Sequence, residues 1–465
     1  MSHAVVIGGS IAGLAAARAL SESVDHVTIL ERDRLPTGVV DRASVPHAKQ
    51  PHLILPLGAQ ILEKLFAGFR QELLDAGCRT FDEVKDTPAF GRQGWRARGD
   101  SDVELIAFRR SLLEHVIRER VRAIDNVSIL TGKATGLIAS DDQSRVVGVT
   151  LLAGPSTTRV SLMADLVVDA SGRGSRSAKW LERLGYEPPQ EQHVCAYYGY
   201  ASRLMRIDDD QLPRGLHGVI TMPFPGRTKG GSFLPSDNGL YTCLAIGAMK
   251  DYPPASDAGF MAFLREAPSP LLAQIAELAE PVTEITTYRF RGNQRRLWEE
   301  MARRPLGFIP VGEAVASFNP IYGQGMTVAV LEALRLRDRM SALGGDLDAL
   351  PAAFMKDLTA SCEFPFSIAA RNDANYPGAT VVNVTLPQEN DEFSVLAQQV
   401  ATEDPDVARD LVHATGWFEA DLLASPDLVN KVRDWVASGC RVTNNDPARV
   451  REPVPMSARS STVAV

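Results

Sequence analysis

Near the start of the chain lies a glycine-rich turn, Gly8-Gly9-Ser10-Ile11-Ala12-Gly13. An apolar run precedes the turn, an Ala/Leu-rich stretch follows it, and Glu31 comes 18 residues after Gly13. A dinucleotide pyrophosphate must lie against backbone N–H groups at a helix N-terminus, where a side chain would block its approach. A carboxylate at the position of Glu31 can accept hydrogen bonds from ribose hydroxyls. We therefore predict dinucleotide binding by the six turn residues, Glu31 and the adjacent Arg32, with a generic tight turn as the alternative.

The turn belongs to one strand–helix–strand unit. Residues His3–Gly8 and His26–Glu31 are predicted as buried parallel strands, and Ile11–Ser23 as the helix between them. Gly8 allows the tight turn, and Gly13 lets the helix pack closely on the strand. Ser10 replaces the second glycine of the usual fingerprint, but its hydroxyl can itself donate to a phosphate.

A second pair of segments suits a flavin. They read Pro310-Val311-Gly312-Glu313-Ala314 and Pro320-Ile321-Tyr322-Gly323-Gln324-Gly325-Met326. An acid at a strand end can bind ribityl hydroxyls, and a helix opened by glycines can turn its N–H groups toward the flavin N1–C2=O edge, where reduced flavin gathers negative charge. We predict cofactor contacts at Gly312, Glu313, Pro320, Gly323, Gly325 and Met326. An ordinary strand–loop–helix connection is the alternative.

The remaining pattern predicts an α/β protein. Its Rossmann-like, three-layer FAD-binding domain is expected to be assembled from discontinuous segments, 1–80, 101–185 and 291–345. Residues 81–100 and 186–290 are predicted to form an antiparallel β-sheet substrate lobe, 346–450 a helical C-terminal region, and 451–465 a flexible tail. Individual helices are predicted at Ala59–Ala76, Ser111–Ala123 and Gly323–Met340, and short apolar strands at Asp165–Asp169 and Leu306–Val311.

Composition excludes several classes of protein. The net charge is −8 and no basic stripe tracks a phosphate backbone, so no nucleic-acid partner is expected. No run approaches the roughly 18 apolar residues of a membrane span, and the first strand leaves no room for a signal peptide. An odd number of cysteines without a Cys-x-x-Cys pair predicts neither zinc nor a disulfide framework. We expect a cytoplasmic protein without a metal, as a monomer or homodimer. The cysteines are Cys78, Cys195, Cys243, Cys362 and Cys440.

Three segments in order resemble the signatures of the FAD-dependent monooxygenase superfamily that includes p-hydroxybenzoate hydroxylase. They are the first glycine turn, Asp169-Ala170-Ser171-Gly172-Arg173-Gly174-Ser175, and the Gly312-Glu313 segment. The family usually has Gly-Asp at the last of these, so the extra methylene of Glu313 is expected to shift the ribityl contact. The chain contains no Trp-x-Trp-x-Ile-Pro, which disfavours halogenation, and no second glycine-rich nucleotide fold, so NAD(P)H would bind transiently.

Over about residues 3–380 the chain is similar to the epoxidases of polyether polyketide pathways (lasalocid and monensin types). The similarity depends on Asp41-Arg42, Val45-Pro46-His47, His52, Arg110, Pro253-Pro254, Asn319-Pro320-Ile321-Tyr322, Asp373 and Tyr376-Pro377-Gly378. It implies one FAD, NAD(P)H as reductant, and O2 as oxidant through a flavin C4a-hydroperoxide. It also implies that Arg42 and Arg110 lie near FAD, since guanidinium suits phosphate. A surface salt bridge is the alternative for each arginine.

The resemblance implies epoxidation or hydroxylation of a large, apolar, polyketide-like small molecule in antibiotic biosynthesis. A different class of function remains open, because some proteins of this fold in spirotetramate pathways keep FAD as a structural element and catalyse a [4+2] cyclisation without redox chemistry. A flavin-free binding protein is a third possibility.

No catalytic residue is predicted, since neither a Ser or Cys nucleophile constellation nor an acid/base pair is evident. His47 and His52 could line the flavin or be structural. Tyr197, Tyr198 and Tyr200 are expected to alternate across the faces of a strand, where core packing or a substrate cavity would use them.

Overall fold

The computed structural model describes residues 1–153, 158–213, 215–385, 391–454 and 456. Most of the predicted tail, 457–465, lies outside these ranges. The strands in chain order are β1 (His3–Ile7), β2 (His26–Glu31), β3 (His52–Ile54), β4 (Arg79–Asp82), β5 (Ala89–Gly91), β6 (Gly94–Trp95), β7 (Glu104–Phe108), β8 (Val127–Ala139), β9 (Val146–Ala153), β10 (Arg159–Met163), β11 (Leu166–Asp169), β12 (Glu191–Cys195), β13 (Gly199–Arg206), β14 (Val219–Thr221), β15 (Lys229–Pro235), β16 (Tyr241–Gly247), β17 (Glu280–Pro281), β18 (Thr286–Arg289), β19 (Asn293–Arg296), β20 (Phe308–Pro310), β21 (Ala316–Ser317) and β22 (Thr380–Val382).

The helices pack around these strands. They are α1 (Ile11–Leu20), α2 (Pro56–Leu65), α3 (Phe69–Asp75), α4 (Arg110–Arg122), α5 (Ser177–Arg183), α6 (Asp257–Arg265), α7 (Leu271–Leu278), α8 (Gly325–Ala342), α9 (Leu350–Ala374), α10 (Asp391–Val400), α11 (Pro405–Trp417) and α12 (Pro426–Ala437). Among the described residues, no helix combines the length and apolar character needed to cross a membrane.

The first lobe is built on a seven-stranded sheet of order β10-β9-β8-β2-β1-β11-β20. The strands from β8 to β20 run parallel, whereas β9 and β10 are antiparallel additions at one edge. β1 and β11 are continuous apolar runs because their side chains are buried on both faces of the sheet. The alanine-rich α1 is buried between the sheet and α8, where small side chains allow close packing.

A second lobe contains a larger, mostly antiparallel sheet of order β17-β13-β16-β15-β14-β5-β6, with β18 also paired to β13. Phe233, Tyr241 and Phe260 belong to its own apolar core, which α6 and α7 close. A four-stranded sheet, β21-β19-β12-β22, connects the two lobes, and α9 packs against it. The predicted α/β class, with a Rossmann-like FAD-binding domain, an antiparallel lobe and a helical C-terminal region, is confirmed.

Two local predictions are wrong for identifiable reasons. The single helix predicted at Ala59–Ala76 is two helices, α2 and α3, because Gly68 adopts a left-handed φ of +80° between them. Tyr197 and Tyr198 precede the strand predicted to contain them, and Tyr197 has a φ of +51°, so that only Tyr200 of the three lies on β13. The chain therefore turns at Tyr197 before β13 begins.

Candidate functional site

The glycine turn forms a close contact between α1 and the carboxyl ends of β1 and β11. A Cβ at Gly13 would lie 1.8 Å from the carbonyl oxygen of Gly8 and 3.4 Å from the Cβ of Ala170. No side chain caps α1, and no acidic residue lies in its first turn. The N-terminus of α1 therefore presents backbone donors without a competing carboxylate on its own first turn.

A buried cluster of charges lies beside this turn. Arg42 contacts Glu31 at 2.8 Å with one terminal nitrogen and Glu114 at 2.8 Å with the other. Glu31 also accepts a 2.7 Å hydrogen bond from the Gly9 amide. All three charged side chains are at most 7% exposed. Arg42 therefore cross-links the end of β2 to α4, and the surface salt bridge considered for it does not describe this buried position.

Arg110 completes the cluster, and not all of its guanidinium N–H donors make hydrogen bonds to described residues. Its terminal nitrogen donates to Ser10 Oγ at 3.0 Å, and its buried Nε lies 3.9 Å from the Glu114 carboxylate as an ion pair but makes no hydrogen bond to a described residue. Ser10 Oγ donates in turn to Glu114 at 2.7 Å. The serine hydroxyl would thus reach a phosphate only by releasing Glu114, whereas Arg110 has a free donor for an anion.

Glu114 was missed by the sequence analysis. Burial alone would raise its pKa, but Arg110 and Arg42 together lower it below the usual value. The spacing contained a signal, because Arg110, Glu114 and Arg118 follow one another at four-residue intervals on one face of α4.

The second predicted segment meets the first directly. Gly312 has a φ of +63°, and a Cβ there would lie 2.7 Å from the Cβ of Ala12 on α1. Its amide donates a 2.5 Å hydrogen bond to Glu332, a fully buried acid on α8. Cys362 Sγ lies 3.4 Å from the other oxygen of Glu332, and burial raises the pKa of this acid to about 8. Glu332, also unforeseen from the sequence, fixes the turn that presents Glu313.

Glu313 faces the junction of the two lobes. Within the described ranges its carboxylate has no hydrogen bond or ion pair, although it is only partly exposed. It acts electrostatically on Arg110 of the first lobe, on Tyr288 of the second, and on His47 and Arg173. An acceptor without a protein partner in this position suits hydroxyl groups of a bound ligand.

His47 occupies the same junction. Its ring lies 5.9 Å from that of Tyr288 and 5.7 Å from that of His52. Burial and Arg110 lower its pKa, so the imidazole is neutral at neutral pH. His52 is held by the Gln50 carbonyl at 2.8 Å, whereas neither ring nitrogen of His47 hydrogen-bonds to a described residue. His47 is therefore the histidine of the pair that faces the cleft with unused hydrogen-bonding capacity.

The turn from Pro320 to Gly323 leads into α8. As at α1, no side chain caps the helix and its first turn contains no acidic residue. Gly323 has a φ of +66° and lies close to Leu53 and Leu55, while Met326 packs on the main core. Gly325 begins α8 itself.

The remaining predicted residues occupy less enclosed positions. Arg32 is 59% exposed and pairs weakly with Asp33 at 3.9 Å, and Pro320 is exposed. Arg173 of the middle signature donates to the Gly292 carbonyl at 2.6 Å and to Ser317, which ties the first lobe to β19 and β21. A surface groove of about 620 Å³ near His3 lies at the amino ends of the strands, away from Glu31, and is not part of this site.

These residues fit FAD. Two uncapped helix N-termini, the guanidinium of Arg110 with its spare hydrogen-bonding capacity and the unpaired carboxylate of Glu313 are the groups that a pyrophosphate and a polyhydroxylated chain require. The contact of Gly312 with Ala12 brings the two halves of this surface together. The described residues contain no group of three or more His, Cys, Asp or Glu that could hold a metal ion.

Comparison with known proteins agrees with the cofactor chemistry. The profile of the family "FAD dependent oxidoreductase" matches residues 4–185. Protein Rv3254 of Mycobacterium tuberculosis is 34% identical over 394 residues, covering 81% of each chain. The 6-methylpretetramide 4-monooxygenase of Streptomyces rimosus is 25% identical over 345 residues, which cover 71% of this chain and 72% of that protein.

Solved structures share the whole architecture. The flavin-dependent brominase Bmp2 has a TM-score of 0.67 at 16% identity, covering 94% of this chain and 100% of its own. The Diels-Alderase PyrE3 has a TM-score of 0.60 at 14% identity, covering 90% of this chain and 80% of its own. At such identities the likeness concerns the fold alone, and it spans proteins named for different reactions. With the profile match and the relative at 34% identity, the chain belongs to the FAD-dependent oxidoreductase family.

Proposed function

We propose that the protein is an FAD-dependent monooxygenase that epoxidises or hydroxylates a large, apolar, polyketide-like molecule, with NAD(P)H as transient reductant and O2 as oxidant. The observation that carries this proposal is the electrostatic influence of Glu313 on Arg110 at the lobe junction, without an ion pair between them. Each is a charged group with unused hydrogen-bonding capacity, and each belongs to a different cofactor segment.

Different residues of the site would contact different parts of FAD. The N-terminus of α1 and Arg110 would hold the pyrophosphate, Glu31 would accept from the adenosine ribose, and Glu313 would accept from the ribityl chain. The N-terminus of α8, from Gly325 to Met326, would stabilise negative charge on a bound flavin ring. FAD, when bound, supplies the redox chemistry that transfers electrons from nicotinamide to oxygen. The protein itself orients the reactants and excludes water.

The second lobe supports an apolar substrate. The rings of Tyr288 and His47 lie 5.9 Å apart, and both side chains are neutral at neutral pH because burial raises the pKa of the tyrosine and lowers that of the histidine. Neutral aromatic groups suit a ring- or alkene-containing substrate better than an ionic one. The similarity to a 6-methylpretetramide 4-monooxygenase supports oxygen insertion and a substrate of this kind.

Labelled oxygen provides the deciding experiment. The holoenzyme is mixed with NADPH or NADH and candidate polyketides under ¹⁸O2, while cofactor consumption and product mass are followed. We expect substrate-stimulated oxidation of the nicotinamide and incorporation of one labelled oxygen atom. A product of unchanged mass, formed anaerobically without nicotinamide, would overturn the monooxygenase and establish a non-redox cyclase. The purified protein should be yellow, and a colourless protein that takes up no FAD would contradict both functions.

A further inference from the structure

Behind the turn that precedes α8 lies a second buried acid, Asp373 near the end of α9. Its carboxylate is fully buried and accepts hydrogen bonds from Asn293 Nδ2 at 2.8 Å and from Tyr322 OH at 3.0 Å. It also accepts from Asn319 Nδ2 at 3.1 and 3.2 Å. No cation of the described residues forms an ion pair with Asp373.

The donors belong to different parts of the fold. Asn293 begins β19, whereas Asn319 precedes the short turn Pro320–Tyr322 and Tyr322 ends it. Asn319 is itself held on three sides: its amide donates to Asn293 Oδ1 at 2.7 Å, and its Oδ1 accepts from Tyr200 of β13 and from the Ile321 amide. One carboxylate thus fixes both ends of the turn and, through Asn319, joins the turn to the sheet of the second lobe.

We propose that Asp373 is the positioning residue of the FAD-facing turn, and that its ionised form holds Asn319 and Tyr322 in the arrangement that binds the cofactor. This inference rests on the proposed function, because it requires that FAD lie against Gly323 and Gly325. Asp373 acts through the turn and does not touch the cofactor.

The donor pattern explains why the ionised form matters. A carboxylate accepts from all three neighbours, but a protonated carboxyl group has a hydrogen of its own that must be donated. Both amide nitrogens can only donate, so protonation must reverse the Tyr322 contact or break one of the others. Burial raises the pKa of Asp373 to about 7, although the three donors oppose this shift.

The titratable groups that face Asp373 do not titrate near neutral pH. They come from β12, β13 and the segment before it, the turn itself and the segment after α9. In each of them burial raises the pKa further above neutrality. These groups are Cys195, Tyr198, Tyr200, Tyr322 and Tyr376. Ionisation of Asp373 is therefore the change of charge expected at the Pro320–Tyr322 turn near pH 7, whereas Glu332, whose pKa is raised to about 8, supports the separate turn at Gly312.

The test is FAD affinity as a function of pH, measured by flavin fluorescence on the full chain stripped of cofactor. Wild-type affinity should rise as pH increases through about 7. Asp373→Asn should bind FAD at least tenfold more weakly above this midpoint and lose the transition near pH 7, while any transition near pH 8 that comes from Glu332 should remain. Tyr322→Phe removes one donor that stabilises the carboxylate, so its affinity should fall roughly threefold and its midpoint should move to higher pH.

Asp357→Asn is the matched control, because it makes the same change on α9 at an acid that pairs with Arg339 near the surface. Its affinity and pH profile should equal those of the wild type. Amide hydrogen exchange at residues 319–325 should rise in Asp373→Asn while β1 stays protected, which separates a loosened turn from a misfolded chain. Normal, pH-independent FAD binding by the wild type, or a Tyr322→Phe midpoint that does not move, would overturn the role of Asp373 while leaving the monooxygenase intact. Absence of FAD binding by the wild type would instead overturn the proposed function and this inference with it.

Discussion

The two ends of the candidate FAD site keep their buried acids in different ways. At the α1 end, Glu31 and Glu114 are neutralised by Arg42, and arginines hold the pKa of Glu114 below its usual value. At the α8 end, Glu332 and Asp373 have no ion-pair partner among the described residues, and burial raises their pKa values to about 8 and about 7. The first end is therefore a network of paired charges, here called the charge lattice, formed by Glu31, Arg42 and Glu114. At the second end the two buried acids titrate near neutral pH.

This difference suits the part of FAD that we propose for each end. A pyrophosphate keeps its charge throughout, so a permanently charged surface with spare guanidinium donors suits it. A flavin ring changes charge during turnover, and a turn supported by neutral or titrating groups places no competing fixed charge beside it. The following variants test this contrast, from the largest expected effect to the smallest.

Gly13→Asp should eliminate the pyrophosphate end. Its Cβ would lie 1.8 Å from the Gly8 carbonyl oxygen, and the added carboxylate would repel a phosphate. We expect the purified variant to retain no FAD, measured as flavin absorbance per chain. Gly91→Asp is the control, because no atom lies within 4 Å of a Cβ built there. Stoichiometric FAD in a folded Gly13→Asp protein would contradict the assignment of this turn.

Arg42→Ala should break the charge lattice. It leaves Glu31 and Glu114 buried without their shared cation, which typically costs about 3–5 kcal/mol of unfolding free energy. Urea denaturation of the FAD-free protein measures this loss. The partly exposed Arg120–Glu72 pair is the control, because Arg120→Ala should cost only about 0–1 kcal/mol. Adding Glu114→Gln to Arg42→Ala should restore part of the loss, and equal costs for Arg42→Ala and Arg120→Ala would show that the lattice contributes little.

The sequence was informative where function depends on local spacing. The glycines of both predicted cofactor segments and Glu313 follow strands at short intervals, and Glu31 ends one, so the pattern alone predicts them as site residues. The acids that support the site from behind, Glu114, Glu332 and Asp373, are single residues inside helices. Their partners come from segments far apart in the chain, which a linear pattern does not contain.

A weaker signal was nevertheless present in the helices. Glu332 lies between Val328 and Leu336 at four-residue intervals, so it occupies the apolar face of α8. An acid on an apolar face indicates a buried partner, here the Gly312 amide. The break at Gly68 was missed for the opposite reason, because apolar periodicity continues across it while the backbone does not.

The titrating acid Glu332 at the α8 end should make the unfolding free energy depend on pH. The pKa of Glu332 is raised from 4.5 to about 8, so its contribution to stability is fully present below about pH 4.5 and is lost as pH rises through 8. The loss is about 1.4 kcal/mol per pH unit within this range. Glu332→Gln should therefore remove roughly 2–3 kcal/mol of the decline in unfolding free energy between about pH 6 and 8. Urea denaturation at several pH values measures the slope, and exposed Glu277→Gln should leave it unchanged.

Glu313 lies where the two ends of the site meet, and its removal should have the smallest effect on protein stability of the variants considered. Its turn is anchored to α8 through Glu332, yet its carboxylate acts on Arg110 of the first end. Because it has no hydrogen bond or ion pair to a described residue, Glu313→Ala leaves no protein partner unsatisfied. The stability of the FAD-free protein should therefore stay within about 0.5 kcal/mol of wild type.

The affinity for FAD should change instead. The bound cofactor would lose one or two charge-assisted hydrogen bonds of about 1.5–3 kcal/mol each, which weakens FAD binding at least tenfold. Fluorescence titration measures this affinity, with exposed Glu300→Ala as control. Lost affinity at unchanged stability is the signature of a ligand-binding acid, in contrast to Glu332 and Arg42, whose loss changes the protein itself. Unchanged affinity would mean that Glu313 is a structural part of the turn and that the two ends bind the cofactor without it.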